Sequence, residues 1–145
     1  MIVHAGLIAI RGPSGAWRGI LVEGPSGSGK SDLMLRALGE GFRLVADDRT
    51  TLWLSDGRLF GRAPETISGL MEVRGVGVPR FETLPLAEVA LVVRAGEPER
   101  IPDPVAADIL GLKVPLIVLA LSESSAPAKL GHALAAFDAG PKRVI

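Results

Sequence analysis

Residues 24–31 read Gly24-Pro25-Ser26-Gly27-Ser28-Gly29-Lys30-Ser31 and match the pattern G-x-x-x-x-G-K-[ST]. A loop of this kind turns its backbone N–H groups inward onto phosphate oxygens, and the helix that follows adds the positive end of its dipole. Glycine is required because the backbone approaches the phosphates closely and visits conformations closed to other residues. Lys30 is placed to contact the β- and γ-phosphates, and the Ser31 hydroxyl to ligate Mg²⁺. The pattern sits between an apolar, β-rich stretch and a helix-forming one, the context in which it holds ATP or a similar nucleotide. A second glycine segment, Gly12-Pro13-Ser14-Gly15, lacks the Gly-Lys-Ser ending and leads into Trp17 rather than a helix, so it reads as a hairpin loop.

The 145 residues suit one domain with one core, residues 1–145, and 48% of them are apolar. A chain of this length buries roughly 70% of its unfolded surface without covalent staples. With no cysteine, disulfides and thiolate metal sites are excluded. Sixteen basic residues balance sixteen acidic ones, so no broad field favours nucleic acid or an anionic membrane, and any anion site must be local. The N-terminus lacks the pattern of a signal peptide, and the most apolar stretch, 114–121, is far too short to span a bilayer. A cytoplasmic protein is the expectation.

Local patterning predicts an α/β chain with a mixed sheet. Val3 to Ile10 and Gly19 to Glu23 read as antiparallel strands, the second running into the glycine-rich segment. Ser31 to Glu40 reads as a helix, with Gly39 or Gly41 at its C-terminal end. Arg43 to Ala46 is a short buried strand ending at Asp47-Asp48. Thr50 to Leu54 and Leu59 to Arg62 form a hairpin about Ser55-Asp56-Gly57. Ala63 to Arg80 and Gly96 to Pro104 read as loops, and Val89 to Val93 and Leu116 to Leu121 as core strands covered on both faces. Ala126 to Ala139 closes the chain as a helix that Gly140-Pro141 ends.

Asp47 and Asp48 are the first candidates for chemistry beside the cradle. In P-loop folds a strand adjacent to the P-loop strand delivers an acidic residue to the Mg²⁺ site. Neighbouring strand-end residues point in different directions, so one aspartate can support the metal while the other accepts a proton from an attacking hydroxyl. General base catalysis of that kind is worth roughly 10²–10⁴-fold. The plainer alternative is a turn that one of the two aspartates caps. By pattern alone Glu72 reads either as a solvated strand edge or as a functional residue, His4 as structural, and Arg100 as a loop residue with no distinct signal.

Taken together, His4-Ala5, the strand Gly19 to Glu23 with its glycine loop, Leu44-Val45-Ala46-Asp47-Asp48 and Met71-Glu72-Val73-Arg74-Gly75-Val76-Gly77 resemble the catalytic domain of HPr kinase/phosphorylase. That resemblance implies a P-loop kinase fold and an ATP- and Mg²⁺-dependent transfer to a serine of HPr. HPr is the small phosphocarrier of the bacterial sugar phosphotransferase system, and many members also reverse the reaction with inorganic phosphate. It implies an active-site role for His4, the phosphate contact for Lys30, and Mg²⁺ binding for Ser31 and Glu72 with Asp47 in support. Asp48 becomes the base that deprotonates the target serine, and Arg100 the counterpart of a catalytic arginine. It further implies a hexamer.

Two departures from the family pattern set further expectations. The chain starts almost at the catalytic domain, as in short forms resembling those of alphaproteobacteria. The segment Leu121-Ser122-Glu123-Ser124-Ser125-Ala126-Pro127 stands where the family carries Pro-Val-Arg-Pro-Gly-Arg-Asn, the loop linked to dephosphorylation. Loss of the phosphorylase reaction is the expectation. A non-catalytic nucleotide sensor and a small-metabolite P-loop kinase are the alternative readings; a base at Asp48 argues against the first.

Overall fold

A computed structural model of the chain describes residues 1–64 and 69–139. Among the described residues nine strands and two helices follow one another in the order β1 (Ile2–Val3), β2 (Ala5–Arg11), β3 (Trp17–Glu23), α1 (Lys30–Leu38), β4 (Arg43–Ala46), β5 (Thr50–Ser55), β6 (Arg58–Arg62), β7 (Ala87–Ala95), β8 (Val105–Ile109), β9 (Leu112–Leu119) and α2 (Ala126–Ala139). They form one mixed sheet in the order β1-β5-β6-β7-β3-β2-β4. β3 and β7 run parallel, as do β7 and β9; the remaining pairs are antiparallel. One edge of β7 is shared: β6 pairs with its start and β9 with its end. The sheet therefore forks at β7, and the hairpin β8–β9 is the second branch.

Strand alternation sorts the apolar residues into two cores. Ile8, Ile20, Val22, Leu91 and Val93 face the helices, where Leu33, Met34 and Ala37 of α1 and Leu130 and Leu134 of α2 cover them. Leu7, Ala9, Leu21, Val89 and Val92 face the other way and pack with Leu52 and Leu59 of the β5–β6 hairpin and with Val114 and Leu116 of β9. Thr50, the buried polar side chain among the described residues, ties that hairpin to β2 by donating to the Ala5 carbonyl at 2.7 Å.

Most local expectations hold. β4 spans the expected residues, α1 begins one residue earlier, at Lys30, and α2 begins at Ala126. Gly39 is the C-cap of α1 and stays right-handed, while Gly41 carries the positive φ. The turn of the β5–β6 hairpin is Asp56-Gly57, both with positive φ, the two-residue turn that matches strand twist. Gly12 to Ala16 closes the β2–β3 hairpin, with Gly12 N–H donating to Ala16 O at 2.9 Å. The expected strand Val3 to Ile10 breaks at His4 into β1 and β2, and β8 is an addition to the expected set. β9 is only half covered: Ile117 and Val118 are partly exposed. Residues 65–68 of the expected loop Ala63 to Arg80, and Gly140-Pro141, lie outside the described residues.

At the end of the sheet away from the glycine loop, Glu88 of β7 accepts from Arg18 of β3 at 3.3 Å and from Arg58 of β6 at 2.9 Å. The Arg58 hydrogen bond holds the Glu88 carboxyl below its ordinary value of 4.5, against the effect of burial and with help from the charge of Arg18. A lowered folded-state pKa adds stability above the unfolded value and loses it as pH falls through the folded one. Glu88→Gln should therefore lower the melting temperature by about one to two degrees at pH 7, small because the arginines are partly exposed. The gap to wild type should close on acidification below 4.5; thermal melts of both proteins between pH 3 and 7, bracketing that value, check this.

Candidate active site

Register brings the candidate residues to one edge. Ala5 at the start of β2 pairs with Glu23 at the end of β3, and Leu7 pairs with Ala46 at the end of β4. Arg94 near the end of β7 also pairs with Glu23, and Ala95 pairs with Leu119 at the end of β9. His4, Gly24, Asp47 and the loop carrying Arg100 thus all leave the sheet from the same side.

The glycine loop is held in a cradle shape by its own groups. Ser28 N–H donates to Pro25 O at 3.1 Å, and the Lys30 ammonium donates to Gly24 O at 2.6 Å. Gly29 is the N-cap of α1 at φ 94°, with no side-chain cap, so the first-turn N–H groups of α1 have no partner within the helix. At Gly27 (φ 81°) an added Cβ would meet nothing within 4 Å; the left-handed backbone, not space, demands glycine there. At Gly24 the reverse holds, since a Cβ would lie 2.7 Å from both Ala95 Cβ and Ser28 Oγ. Ser28 Oγ is buried and has no hydrogen-bond partner among the described residues. Pro25 and Ser26 form the exposed outer rim.

Ser31, in the first turn of α1, donates its hydroxyl to Asp47 Oδ1 at 2.9 Å. The two oxygens stand close to the ~3 Å that separates neighbouring ligands around octahedral Mg²⁺ at about 2.1 Å. A hydroxyl and a carboxylate are the hard oxygen donors this ion takes, so the pair fits it. Asp47 reaches Ser31 from an unexpected position. β4 pairs with β2, which separates it from the P-loop strand β3, so the acidic strand is not adjacent to β3 as the sequence suggested. An extra residue, Val45, bulges out between the Leu7 and Ile8 pairs and leaves Val45 and Ala46 on the same side of the sheet. That bulge redirects the end of the strand.

Burial is the main cause that raises the Asp47 carboxyl above its ordinary value of 3.8, with the neighbouring charge of Asp48 adding to it. Hydrogen bonds from Ser31 and from the backbone N–H groups of Asp48 and Glu72 act in the opposite sense. Asp48 is exposed and sits at φ 67°. Arg49 N–H donates to Asp47 O across it at 2.7 Å, the i→i+2 bond of a γ-turn with positive φ, a rare and strained turn. The turn sets the second aspartate apart from the first, at a cost of order 1–2 kcal/mol.

Glu72 joins the site through its backbone. Its N–H reaches the Asp47 carboxylate while its side chain is exposed. Among the described residues no group of three or more His, Cys, Asp or Glu side chains is arranged to hold a metal. His4 is exposed in the break between β1 and β2. Arg100 is exposed and makes no hydrogen bond or ion pair among the described residues. One residue that pattern did not single out is Arg36 of α1. It pairs with Asp32 at 2.9 Å and donates to Glu123 O at 2.9 Å and to Leu121 O, pinning the segment after β9 beside the cradle. The i,i+4 spacing of Asp32 and Arg36 signals the ion pair but not the carbonyl contacts.

A phosphate cradle at the end of a mixed sheet, with an aspartate bonded to its serine, defines a P-loop kinase-like domain. The family described as HPr Serine kinase C-terminal domain matches residues 1–84, more than half of the chain, and the chain belongs to that family. An HPr kinase/phosphorylase of Clostridium beijerinckii is 46% identical over 66 residues, 46% of this chain and 22% of that protein. One of Limosilactobacillus reuteri is 36% identical over 99 residues, 63% of this chain and 29% of that protein. The matched part thus spans less than a third of these relatives' length. The solved HPr(Ser) kinase/phosphatase of Coxiella burnetii shares the fold with a TM-score of 0.78 at 24% identity, over 95% of this chain and 96% of the other. No helix among the described residues is long and apolar enough to cross a membrane.

A carboxylate whose pKa is raised in the fold loses stability for the fold once it ionises. Asp47→Asn should therefore raise the melting temperature at pH 7 by about one to three degrees without added metal. It should also abolish any Mg²⁺-dependent stabilisation of the wild type. Melting curves with and without millimolar Mg²⁺ read both effects.

Proposed function

We propose that the chain, as a single domain over residues 1–145, is the catalytic domain of an ATP- and Mg²⁺-dependent serine kinase acting on an HPr-type phosphocarrier. The observation that carries this reading is the arrangement of Ser31, Asp47 and Asp48 beside the cradle, in a member of a family whose relatives carry that name. A cytoplasmic location and a hexameric assembly belong to the same proposal and rest on the family resemblance.

The cradle binds the nucleotide phosphates through the first-turn N–H groups of α1 and the Gly24–Gly29 backbone. Lys30 exchanges its bond to Gly24 O for a phosphate oxygen. Ser31 and Asp47 would hold Mg²⁺, with Glu72 as a further ligand on the strength of the family resemblance. Bound there, the ion supplies neutralisation of charge on the phosphate oxygens. Asp48 takes the proton of the acceptor serine as that oxygen bonds to the γ-phosphorus and the bond to the leaving nucleoside diphosphate breaks. The largest share of the rate comes from positioning and charge, not covalent work by the protein. His4 leaves the sheet next to Glu23 and is assigned to the acceptor side; Arg100 reaches the site only if its loop folds over it.

The strained turn at Asp48 favours the kinase over a nucleotide sensor, because a binder gains nothing from holding a second carboxylate apart at that cost. With ATP, Mg²⁺ and the cognate HPr, one serine should be phosphorylated. Asp48→Asn, which tolerates the same φ, should abolish turnover while sparing nucleotide affinity. Asp48→Gly should be equally inactive yet more stable by about 1 kcal/mol, since it relieves the turn. Mass spectrometry of HPr, nucleotide titration and denaturant melts test the three statements; absence of phosphorylated HPr overturns the reading. Inorganic phosphate should not release the phosphoserine, because the segment 121–127 has no arginine.

A further inference from the structure

The cradle contains a hydroxyl with nothing to bond to. Ser28 Oγ is buried and has no hydrogen-bond partner among the described residues. A buried donor left unpaired costs the fold, so each one in a native protein calls for an account. Pro25, Ser26 and Gly27 are exposed while this hydroxyl is not, and the point a Gly24 Cβ would occupy lies 2.7 Å from both Ser28 Oγ and Ala95 Cβ. The hydroxyl therefore stands against Gly24 on the strand side of the loop, beside the end of β7. The absence of a side chain at Gly24 is what lets it come so close.

Gly24 is also the residue whose carbonyl accepts from the Lys30 ammonium at 2.6 Å. Two donors thus surround Gly24, and the charged one has its carbonyl. When Lys30 turns to a phosphate oxygen, that carbonyl gives up its partner at a half-buried position. A serine hydroxyl is a single donor on a freely staggered bond, so it changes partner by rotation alone. Ser28 Oγ is shielded from solvent and does not face a ligand in the cradle; what lies within its reach is the loop itself.

We propose that Ser28 is a positioning residue for nucleotide binding, its hydroxyl taking over the Gly24 carbonyl when Lys30 leaves it for phosphate. The unpaired donor belongs to the arrangement in which Lys30 holds Gly24 O, and pairing it favours the arrangement in which Lys30 holds phosphate. This rests on the nucleotide-binding part of the kinase reading and is independent of the acceptor. The test is a cycle of Ser28→Ala and Lys30→Met, read by melting temperature without nucleotide and, for Ser28→Ala, by calorimetric titration with ADP and Mg²⁺. In the wild-type background Ser28→Ala should raise the melting temperature by about two to four degrees, since it removes an unpaired buried hydroxyl. In the Lys30→Met background the Gly24 carbonyl is already released to Ser28, so the same change should lower the melting temperature by a similar amount. Ser28→Ala alone should weaken ADP binding about tenfold. A purely structural serine would shift stability in one sense in both backgrounds and leave affinity as it was. With wild type binding ADP, either the lack of a sign reversal or an affinity that is unchanged or tighter in Ser28→Ala overturns the role of Ser28 alone. Wild type that binds neither ADP nor ATP overturns the nucleotide reading and the role of Ser28 with it.

Discussion

One extra residue in β4 decides where the acidic pair lies. Without the bulge at Val45, the strand would end with the opposite side chain facing α1, because each step along a strand reverses its faces. With it, Leu44 serves the helix-side core, Val45 and Ala46 the other, and Asp47 meets the Ser31 hydroxyl at 2.9 Å. That hydrogen bond joins the first turn of α1 to a strand two places from the P-loop strand. The γ-turn at Asp48 starts from the same Asp47, whose backbone carbonyl accepts from Arg49 N–H at 2.7 Å.

The elements legible in the sequence carry their signal within a few residues. The Asp56-Gly57 turn, the helix from Lys30 and the short strand Arg43–Ala46 depend on local turn chemistry and apolar spacing. β8 was not legible, because Val105-Ala106-Ala107-Asp108-Ile109 is largely exposed and follows a run of prolines, so its pairing with β9 rests on the neighbour and not on its own pattern. β1 is only two residues long.

The site was legible in its residue types more than in its geometry. The glycine loop and Asp47-Asp48 announce themselves; sheet order does not. An insertion of β2 between β3 and β4 leaves no trace in spacing, so the acidic strand was placed one position too close. Glu72 was singled out for its carboxylate, yet what acts on the Asp47 carboxyl is its backbone N–H, which every non-proline residue possesses. Arg36 escaped notice for a related reason: its partners at residues 121 and 123 are carbonyls, and carbonyls carry no identity in a sequence.

The bond from Lys30 to the Gly24 carbonyl has a consequence for how the loop binds anions. It closes residues 24–30 into a ring, half covalent and half hydrogen-bonded, so much of the chain entropy that phosphate would otherwise have to freeze out is already spent. The same ammonium is the counter-charge for phosphate, and taking up that second task opens the ring at its seam. Lys30 is both latch and ligand. A neutral side chain of equal length would forfeit affinity on two accounts, a charge no longer offered and a loop no longer held ready.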